Sequence, residues 1–489
     1  VTHSPLGAVP LFQQPPVPGD APAPPAPPAD GPRTTFTAAE VAGTHQLPGG
    51  GVDWGLVVVL RRQASSEISA STRQYQEEHG RAMPDVDRRL MGRATIRSVV
   101  RRHAEQLSAL GHELWPIEVE RRYAAAVEDA VFGYGRLQPL FDLPTAENIE
   151  IHGCDTVTVQ HGDGRRVAHP PVADSDAELV EAIRFLGEMA SPSRPFDDAH
   201  PTMTLALGDR FRLHAIGFGL SHRPSVTIRQ HLLTDVTLAD LADTGLLPDD
   251  VAAFLHAAVL ARKSVVISGD QGAGKTTLLR ALVAAIPLTE RFGTIETDYE
   301  LLTHLLPGRG NVVALQARVG LGEVVDGRRL GEFNVSDLLP EALRQNLTRL
   351  VIGEVRGSEA AAMFEAMQAG PGSLSTTHSR SAASTVDRLA SRVAQGGVLT
   401  MEEAYRQIAH NIDLLVHVSL VDDTWRGGPR TRRVSEIRQL TGAVENGRPS
   451  THLVYADGPG GAWFSPDPQF LADLQPYAST WRADAGARR

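Results

Sequence analysis

Hydrophobic and polar positions change rhythm along the chain, and each change marks a candidate unit. The first 50 residues show no apolar period, and 11 of the 33 prolines lie between Pro5 and Pro32 among Ala, Gly and Gln. Proline lacks an amide donor and this stretch has little to bury, so residues 1–50 are expected to form a disordered or extended Pro-rich tail, with a docking motif as the alternative. Residues 51–130 read as helical. Leu90, Ile96, Val99, Val100 and Leu107 recur at roughly helical spacing, ringed by Arg88, Arg89, Arg93, Arg97, Arg101 and Arg102. A solvated helix face accounts for those arginines; contact with acidic headgroups or a partner is the other reading. From 131 the period shortens. Phe132–Leu137 is a turn signal, and Ile149, Ile151, Val157 and Val159 alternate as strands do. A helix is predicted over Glu178–Met189 and strands around Met203–Leu207, Phe211–Ile216 and Ser225–Gln230, giving a small α+β domain over 131–234. Pro248-Asp249-Asp250 opens a helix with Asp at its cap. Strands and helices then alternate through 445, as in an open and mostly parallel sheet, and 446–489 is expected to be a C-terminal tail. The fold class is α/β.

Composition bounds the function. A chain of 489 residues holds about three domains at roughly 150 residues each. With 42% hydrophobic and 21% charged residues it reads as a soluble globular protein. The 47 Lys+Arg against 58 Asp+Glu leave a net charge of −11, which argues against a general nucleic-acid coat without excluding a local basic patch. The single cysteine, Cys154, rules out a disulfide framework or a Cys-rich zinc site and reads as a small buried residue. No run reaches the ~18 apolar residues of a membrane span, and the opening residues carry no signal-peptide core. The expectation is a cytoplasmic protein whose contact with a membrane is indirect.

The strongest chemical signal is Gly269-Asp270-Gln271-Gly272-Ala273-Gly274-Lys275-Thr276, a full G-x-x-x-x-G-K-[ST] match. It follows the apolar, β-branched Ser264–Ser268 and precedes a helix over Thr277–Ile286. Glycines let the backbone wrap a phosphate, and amides of Gly269, Gly272, Ala273, Gly274 and Thr277 with the helix N-terminus face the anion. Lys275 reaches the β/γ-phosphates and the Thr276 hydroxyl ligates Mg²⁺. Next comes Glu296-Thr297-Asp298-Tyr299-Glu300 after the strand-like Gly293–Ile295. In an extended chain residues 296, 298 and 300 share one side. Such a cluster organises a Mg²⁺ ion or a nucleophilic water, or else is a solvated loop. Arg349–Gly357 is an apolar strand ending in Glu354, placed to hold the Mg²⁺ shell or polarise water, with Arg356 suited to phosphate or to holding a carboxylate. Gly372–His378 is a small-residue strand ending in a histidine.

These four elements, in this order, resemble the Walker A, Asp box, Walker B and His box of the secretion-type hexameric ATPases. Those power type II secretion, type IV pili, type IV secretion and Tad/Flp pili. Gly353-Glu354-Val355-Arg356-Gly357 is similar to the G-E-V-R-G of the Tad/Flp (CpaF-type) branch. Gly133–Leu140 and Glu147–Gly153 are similar to that branch's G-L-G-P-L-x-P-L and E-I-M-V-N-G. The resemblance implies a RecA-like P-loop ATPase domain over 235–445 behind the small domain, using ATP and Mg²⁺. It implies Lys275 and Thr276 on phosphate and metal, Glu296 and Glu300 as the Asp-box glutamates with Glu300 the base or water-orienting group, Glu354 as the Walker B carboxylate, and His378 near the γ-phosphate. Arg212 and Arg229, on stretches similar to R-V-N-A and S-L-T-I-R, are implied to reach the nucleotide. A homo-hexamer, inner-membrane platform proteins as partners and a place at the inner face of the membrane follow from the same resemblance; no specific nucleic acid is expected, given the net charge of −11 and the His-box sequence. Two departures stand out: Thr297 replaces the usual Asp, and Gly370-Pro371-Gly372 lacks the first His-box histidine. A nucleic-acid motor and a non-hydrolysing nucleotide sensor are the rival readings.

Overall fold

The computed structural model describes residues 52–190, 193–318, 320, 323–325, 327–355, 359–397, 399–458 and 461–478. The Pro-rich tail expected over 1–50 and Arg356 lie outside the described residues.

Three helices come first: α1 (Trp54–His79), α2 (Asp85–Ala109) and α3 (Ile117–Phe132). Asp53 caps α1 by accepting from the amides of Gly55 and Leu56, and Gly80 ends it in the left-handed conformation. Val57, Leu60 and Ala64 of α1 pack on Ile96, Val99 and Val100 of α2 and on Ala126 and Val127 of α3. Leu90, expected on the same face, is 59% exposed. It lies about 1.7 helical turns from Ile96, which carries it to the far side.

The small domain is a six-stranded sheet in the order β3-β2-β1-β6-β5-β4. Its strands are β1 (Ala146–His152), β2 (Thr156–His161), β3 (Arg166–His169), β4 (Thr202–Leu207), β5 (Phe211–Ile216) and β6 (Ser225–Gln230). Every neighbouring pair is antiparallel. One face carries α4 (Asp176–Met189), whose Leu179, Ile183 and Leu186 meet Ile149, Ile151, Leu213 and Ile228. The strand-period residues picked out in the sequence are therefore the ones that line this core.

The large domain is a nine-stranded sheet in the order β17-β16-β15-β14-β7-β13-β12-β8-β9. Its strands are β7 (Val265–Gly269), β8 (Phe292–Glu296), β9 (Val312–Gln316), β12 (Leu350–Val355), β13 (Leu374–Thr377), β14 (Leu414–Asp422), β15 (Arg430–Glu445), β16 (Arg448–Gly458) and β17 (Gly461–Phe464). A short hairpin, β10 (Val324–Val325) and β11 (Arg328–Arg329), stands apart. From β14 to β9 the pairing is parallel, while β14 to β17 pair antiparallel. β7 sits inside this sheet with every residue buried, as a parallel strand covered on both faces requires. On one face α5 (Asp249–Leu260) and α6 (Lys275–Ala285) bury Leu255, Leu278 and Leu282. On the other, α7 (Val335–Leu343), α8 (Glu359–Ala369), α9 (Ala382–Gln395) and α10 (Met401–Asn411) bury Leu339, Phe364, Leu389 and Ile408. The residue at the cap of α5 is Pro248, with Asp249 and Asp250 in the first turn rather than at the cap.

The tail expected from 446 is instead part of this sheet. β16, β17 and α11 (Pro468–Leu474) place Val454, Tyr455, Phe470 and Leu474 in the first core. The expected boundary fell on a hairpin turn: Asn446 and Gly447 both have positive φ (51° and 76°), as a two-residue turn joining β15 to β16 needs. Among the described residues no helix is long and apolar enough to cross a membrane.

Candidate functional site

The order of the strands brings the chemistry together. β7, β13, β12 and β8 are neighbours and parallel, so their carboxyl ends open on one edge of the sheet. That edge is where open α/β sheets bind ligands. β7 delivers the glycine-rich loop and Lys275, β13 delivers His378, β12 delivers Glu354, and β8 delivers Glu296 and then Glu300.

The loop Gly269–Gly274 turns from β7 into α6. Gly274 is the N-cap of α6 with φ of 96°, a conformation that a side chain would strain. Lys275 is buried; its Nζ donates to the Asp270 carbonyl at 3.0 Å and lies 3.3 Å from His378 Nδ1. An ammonium is only a donor, so Nδ1 accepts and the ring proton sits on Nε2. That nitrogen is 2.7 Å from Glu354 Oε1. Lys275, His378 and Glu354 thus form one chain of polar contacts across three adjacent strands. Between Ile352 and Val355, β12 carries one residue more than β13, an irregularity of the kind that re-aims a side chain. Thr276 and Thr277 start α6 half-buried behind Lys275.

The acidic segment does not stay extended. β8 ends at Glu296, and the chain turns, so 296, 298 and 300 do not share one strand face. Glu296 is buried; its Oε2 accepts from the amides of Glu300 (2.9 Å) and Leu301 (2.8 Å), folding the loop over its own carboxylate. Gly353 makes room: a Cβ there would stand 3.0 Å from Glu296 Cγ. Burial pushes the Glu296 carboxyl up to about 7, against the pull of those two amides, and the Glu300 charge pushes the same way. Glu300 stays closer to solvent. The Thr276 hydroxyl is 3.4 Å from Glu300 Oε2. A cavity of about 30 Å³ lies between Arg212, Thr276, Glu296, Glu300 and Glu354. It has room for a water-sized group among oxygen donors. Glu296 Oε1 is buried without a hydrogen-bond partner among the described residues. The oxygens of Thr276, Glu300 and Glu354 around this water-sized space are of the donor type that a hard cation such as Mg²⁺ takes.

The small domain closes over this edge. Arg212 on β5 donates to Glu300 Oε1 at 2.7 Å and also to Asp298, so it is held by the acidic loop. Arg229, beside it on β6, is half-buried and has no acidic partner among the described residues. Arg223 is tied to Asp155 and Asp176 inside the small domain.

Other participants escaped the sequence reading. Arg280 on α6 is buried and donates to the carbonyls of Glu300 and Leu233, joining α6, the acidic loop and the segment leaving β6. Burial draws its pKa down to about 10, so it stays charged near neutrality. Its signal was a lone charge among Leu278, Leu279 and Leu282, four residues after Thr276 and therefore on the same helical face. His231, next to it, is drawn down to about 3 by burial and by Arg280, Arg229 and Arg212, so it stays neutral. Ser268 Oγ and His417 Nδ1 meet at 3.0 Å beneath the loop.

The type II/IV secretion system protein family matches residues 159–435. A putative conjugal transfer protein of Mycobacterium tuberculosis H37Rv is 30% identical over 321 residues, covering 64% of this chain and 87% of the relative. The type IV secretion system protein VirB11 of Brucella suis is 31% identical over 332 residues, covering 62% and 88%. Among solved structures, the VirB11 ATPase of Brucella suis is similar at 25% identity and a TM-score of 0.33, covering 63% of this chain and 96% of that one. The pilus retraction motor PilT with bound ADP is similar at 16% identity and a TM-score of 0.43, covering 70% and 85%.

Proposed function

The chain belongs to the type II/IV secretion system protein family, and on that premise we propose that it is a Mg²⁺-dependent ATP hydrolase whose RecA-like large domain drives a secretion machine. The observation that carries this is the single sheet edge on which Lys275, Thr276, Glu300, Glu354 and His378 converge beneath Arg212. The names of the relatives favour a type IV secretion or conjugation machine; the G-E-V-R-G stretch favours assembly of a Tad/Flp pilus. The motor works as a homo-hexamer at the inner face of the membrane, held there by platform proteins.

In this reading the amides of the loop from Gly269 to Thr277 and the N-terminus of α6 receive the phosphates. Lys275 gives up its bond to the Asp270 carbonyl to meet them. Thr276 and Glu354 would hold Mg²⁺, which would supply charge neutralisation at the phosphates. Glu300 orients the attacking water and Glu354 polarises it, with His378 Nε2 standing 2.7 Å from the Glu354 carboxylate. Glu296 holds the loop that carries Glu300. Arg212 and Arg229 approach the γ-phosphate end from the small domain, Arg212 by releasing Asp298 and Glu300.

The test is hydrolysis against binding. Lys275→Ala should lose nucleotide binding, and Glu354→Gln should bind ATP yet lose turnover because an amide cannot polarise water. Wild-type turnover in Glu354→Gln would end this assignment. DNA-stimulated activity with a steep salt dependence would favour the nucleic-acid motor instead.

A further inference from the structure

Two arginines on β15 stand against the glycine-rich loop, in strands to which sequence reading gave no role. Arg430 and Arg432 are two apart, so both project to the same face of the sheet. Their side chains are 6% and 1% exposed. A side chain at Gly272 would begin 3.5 Å from Arg430 Nη2, and one at Gly274 would begin 3.6 Å from Arg432 Cδ. Arg432 Nε donates to the Gly272 carbonyl at 2.7 Å. Its Nη2 donates to both carboxylate oxygens of Glu147, at 2.8 and 3.1 Å, and Nη1 to the Gly162 carbonyl at 3.3 Å. Arg430 Nη1 donates to the other side of the same carboxylate, Glu147 Oε2, at 2.7 Å, and its Nε lies 3.2 Å from Asp422 Oδ2.

Glu147 is not an ordinary strand residue. Ala146 pairs with His161 and Asn148 with Gln160, so Glu147 is the extra residue of a bulge in β1. A bulge frees one side chain from the strand's alternation and re-aims it. Here it points a small-domain carboxylate at the large domain. Glu147 opens one of the stretches that prompted the family resemblance.

We propose that Arg432 is a positioning residue of the nucleotide site, holding the Gly272 peptide of the phosphate loop in place only while Glu147 of the docked small domain holds Arg432. This rests on the reading of the loop as a nucleotide site. The physical reason is the chemistry of one guanidinium. A carbonyl in a phosphate-binding loop must point away from the anion so that neighbouring amides can point towards it. Arg432 pins that carbonyl with a charged donor from behind. A buried guanidinium is held to one orientation only if its remaining donors are satisfied: both oxygens of the Glu147 carboxylate accept from Nη2, and the Gly162 carbonyl accepts from Nη1. Undocking the small domain would leave two buried arginines facing Asp422 alone. The loop would then lose its fixed carbonyl before any residue touching phosphate had moved.

The test uses the full chain, a fluorescent ADP analogue with Mg²⁺, and thermal melting. The variants are Glu147→Gln, Arg432→Lys and both together, with Lys275→Ala as the control for the site. Glu147→Gln, a change in the small domain with no bond to the loop, should raise the Kd about tenfold; it should also lower Tm, because it leaves Arg430 and Arg432 buried beside an uncharged amide, so Kd is the deciding readout. Arg432→Lys should do the same, because an ammonium cannot bridge Gly272 and Glu147 together. In the double variant the Kd should rise no further than in the worse single one, since the two act through one contact. KM should rise more than kcat falls in each. If Glu147→Gln lowers Tm and leaves Kd unchanged, the pair is an interdomain strut and the proposal fails. Additive effects in the double variant would also overturn it. If the wild type binds no nucleotide, or Lys275→Ala binds as well as wild type, the fault lies in the reading of the loop and not in the role of Arg432.

Discussion

Glu296 and Glu300 are four residues apart and play opposite parts. Glu296 is buried and spends one oxygen on two backbone amides; Glu300 faces the cavity, Thr276 and Arg212. Glu300→Gln should therefore lower kcat by roughly 10²–10⁴-fold with a modest change in KM. Asp298→Asn should do much less, since it alters only one of the two carboxylates on Arg212; steady-state kinetics showing the reverse ranking would mean that the loop register is misassigned. Glu296 governs stability. Its carboxyl stands near 7 in the fold against an ordinary 4.5, so the folded chain binds its proton more tightly than the unfolded one. That contribution is complete below pH 4.5 and is lost as the pH rises through 7. At 1.36 kcal/mol per unit it amounts to something on the order of 3 kcal/mol. Glu296→Gln still offers a carbonyl to the two amides and has no charge to bury. Its Tm, measured without nucleotide, should vary less than wild type between pH 4.5 and 7 and exceed wild type at pH 8. A Tm that tracks wild type across that window would show that another group titrates.

At the scale of elements, what the sequence revealed depended on whether the signal was local. β7, the glycine-rich loop and α6 were legible because an apolar β-branched run, positive-φ glycines and an amphipathic helix are all written within 25 residues or so of each other. Glu354 and His378 were legible as strand ends. That they touch was not, because nothing local says that β12 and β13 are neighbours. Arg432 and Glu147 are 285 residues apart and share a contact that no period in the sequence encodes. The end of the large domain is misplaced for a different reason: the expected boundary at 445 runs through the Asn446-Gly447 hairpin turn. This gives a plain prediction. A chain ending at Glu445 lacks β16, β17 and α11, and so removes Val454, Tyr455, Phe470 and Leu474 from the first core. Each such loss costs about 2–5 kcal/mol, against a typical stability of about 5–15 kcal/mol. The truncated chain should be insoluble or bind a hydrophobic dye without a cooperative melt. A soluble, cooperatively folding product with native ADP affinity would show that these strands are dispensable.

In the whole molecule, the question is where the second cation of the site comes from. Lys275 is at the loop, and Arg212 is held by Asp298 and Glu300. Arg229 is left half-buried with no acidic partner among the described residues. It lies on β6 between Asn148 of β1 and Arg212 of β5, and both flanking strands reach this chain's own large domain, through Glu147 and through Arg212. A half-buried guanidinium with no carboxylate is costly unless an anion joins it. On the proposed function, Arg229 is expected to serve the nucleotide of its own chain. Arg229→Ala should lower kcat and leave Tm unchanged. Specific activity should rise faster than linearly with concentration at low concentration, and light scattering on a sizing column should show a hexamer favoured by a non-hydrolysable ATP analogue. Mixing then separates the two geometries. Lys275→Ala subunits carry an intact Arg229 but no working loop; Arg229→Ala subunits carry the loop but no arginine. If Arg229 acts within its own chain, no mixture of the two has a complete site, and activity stays at the sum of the parts. If it acts on a neighbour, mixed rings rebuild complete sites and activity rises well above that sum at equal proportions. Such a rise would overturn the assignment of Arg229 to its own chain while leaving the ring intact. A strict monomer with concentration-independent activity would remove the ring and leave the same-chain role to be judged by Arg229→Ala alone.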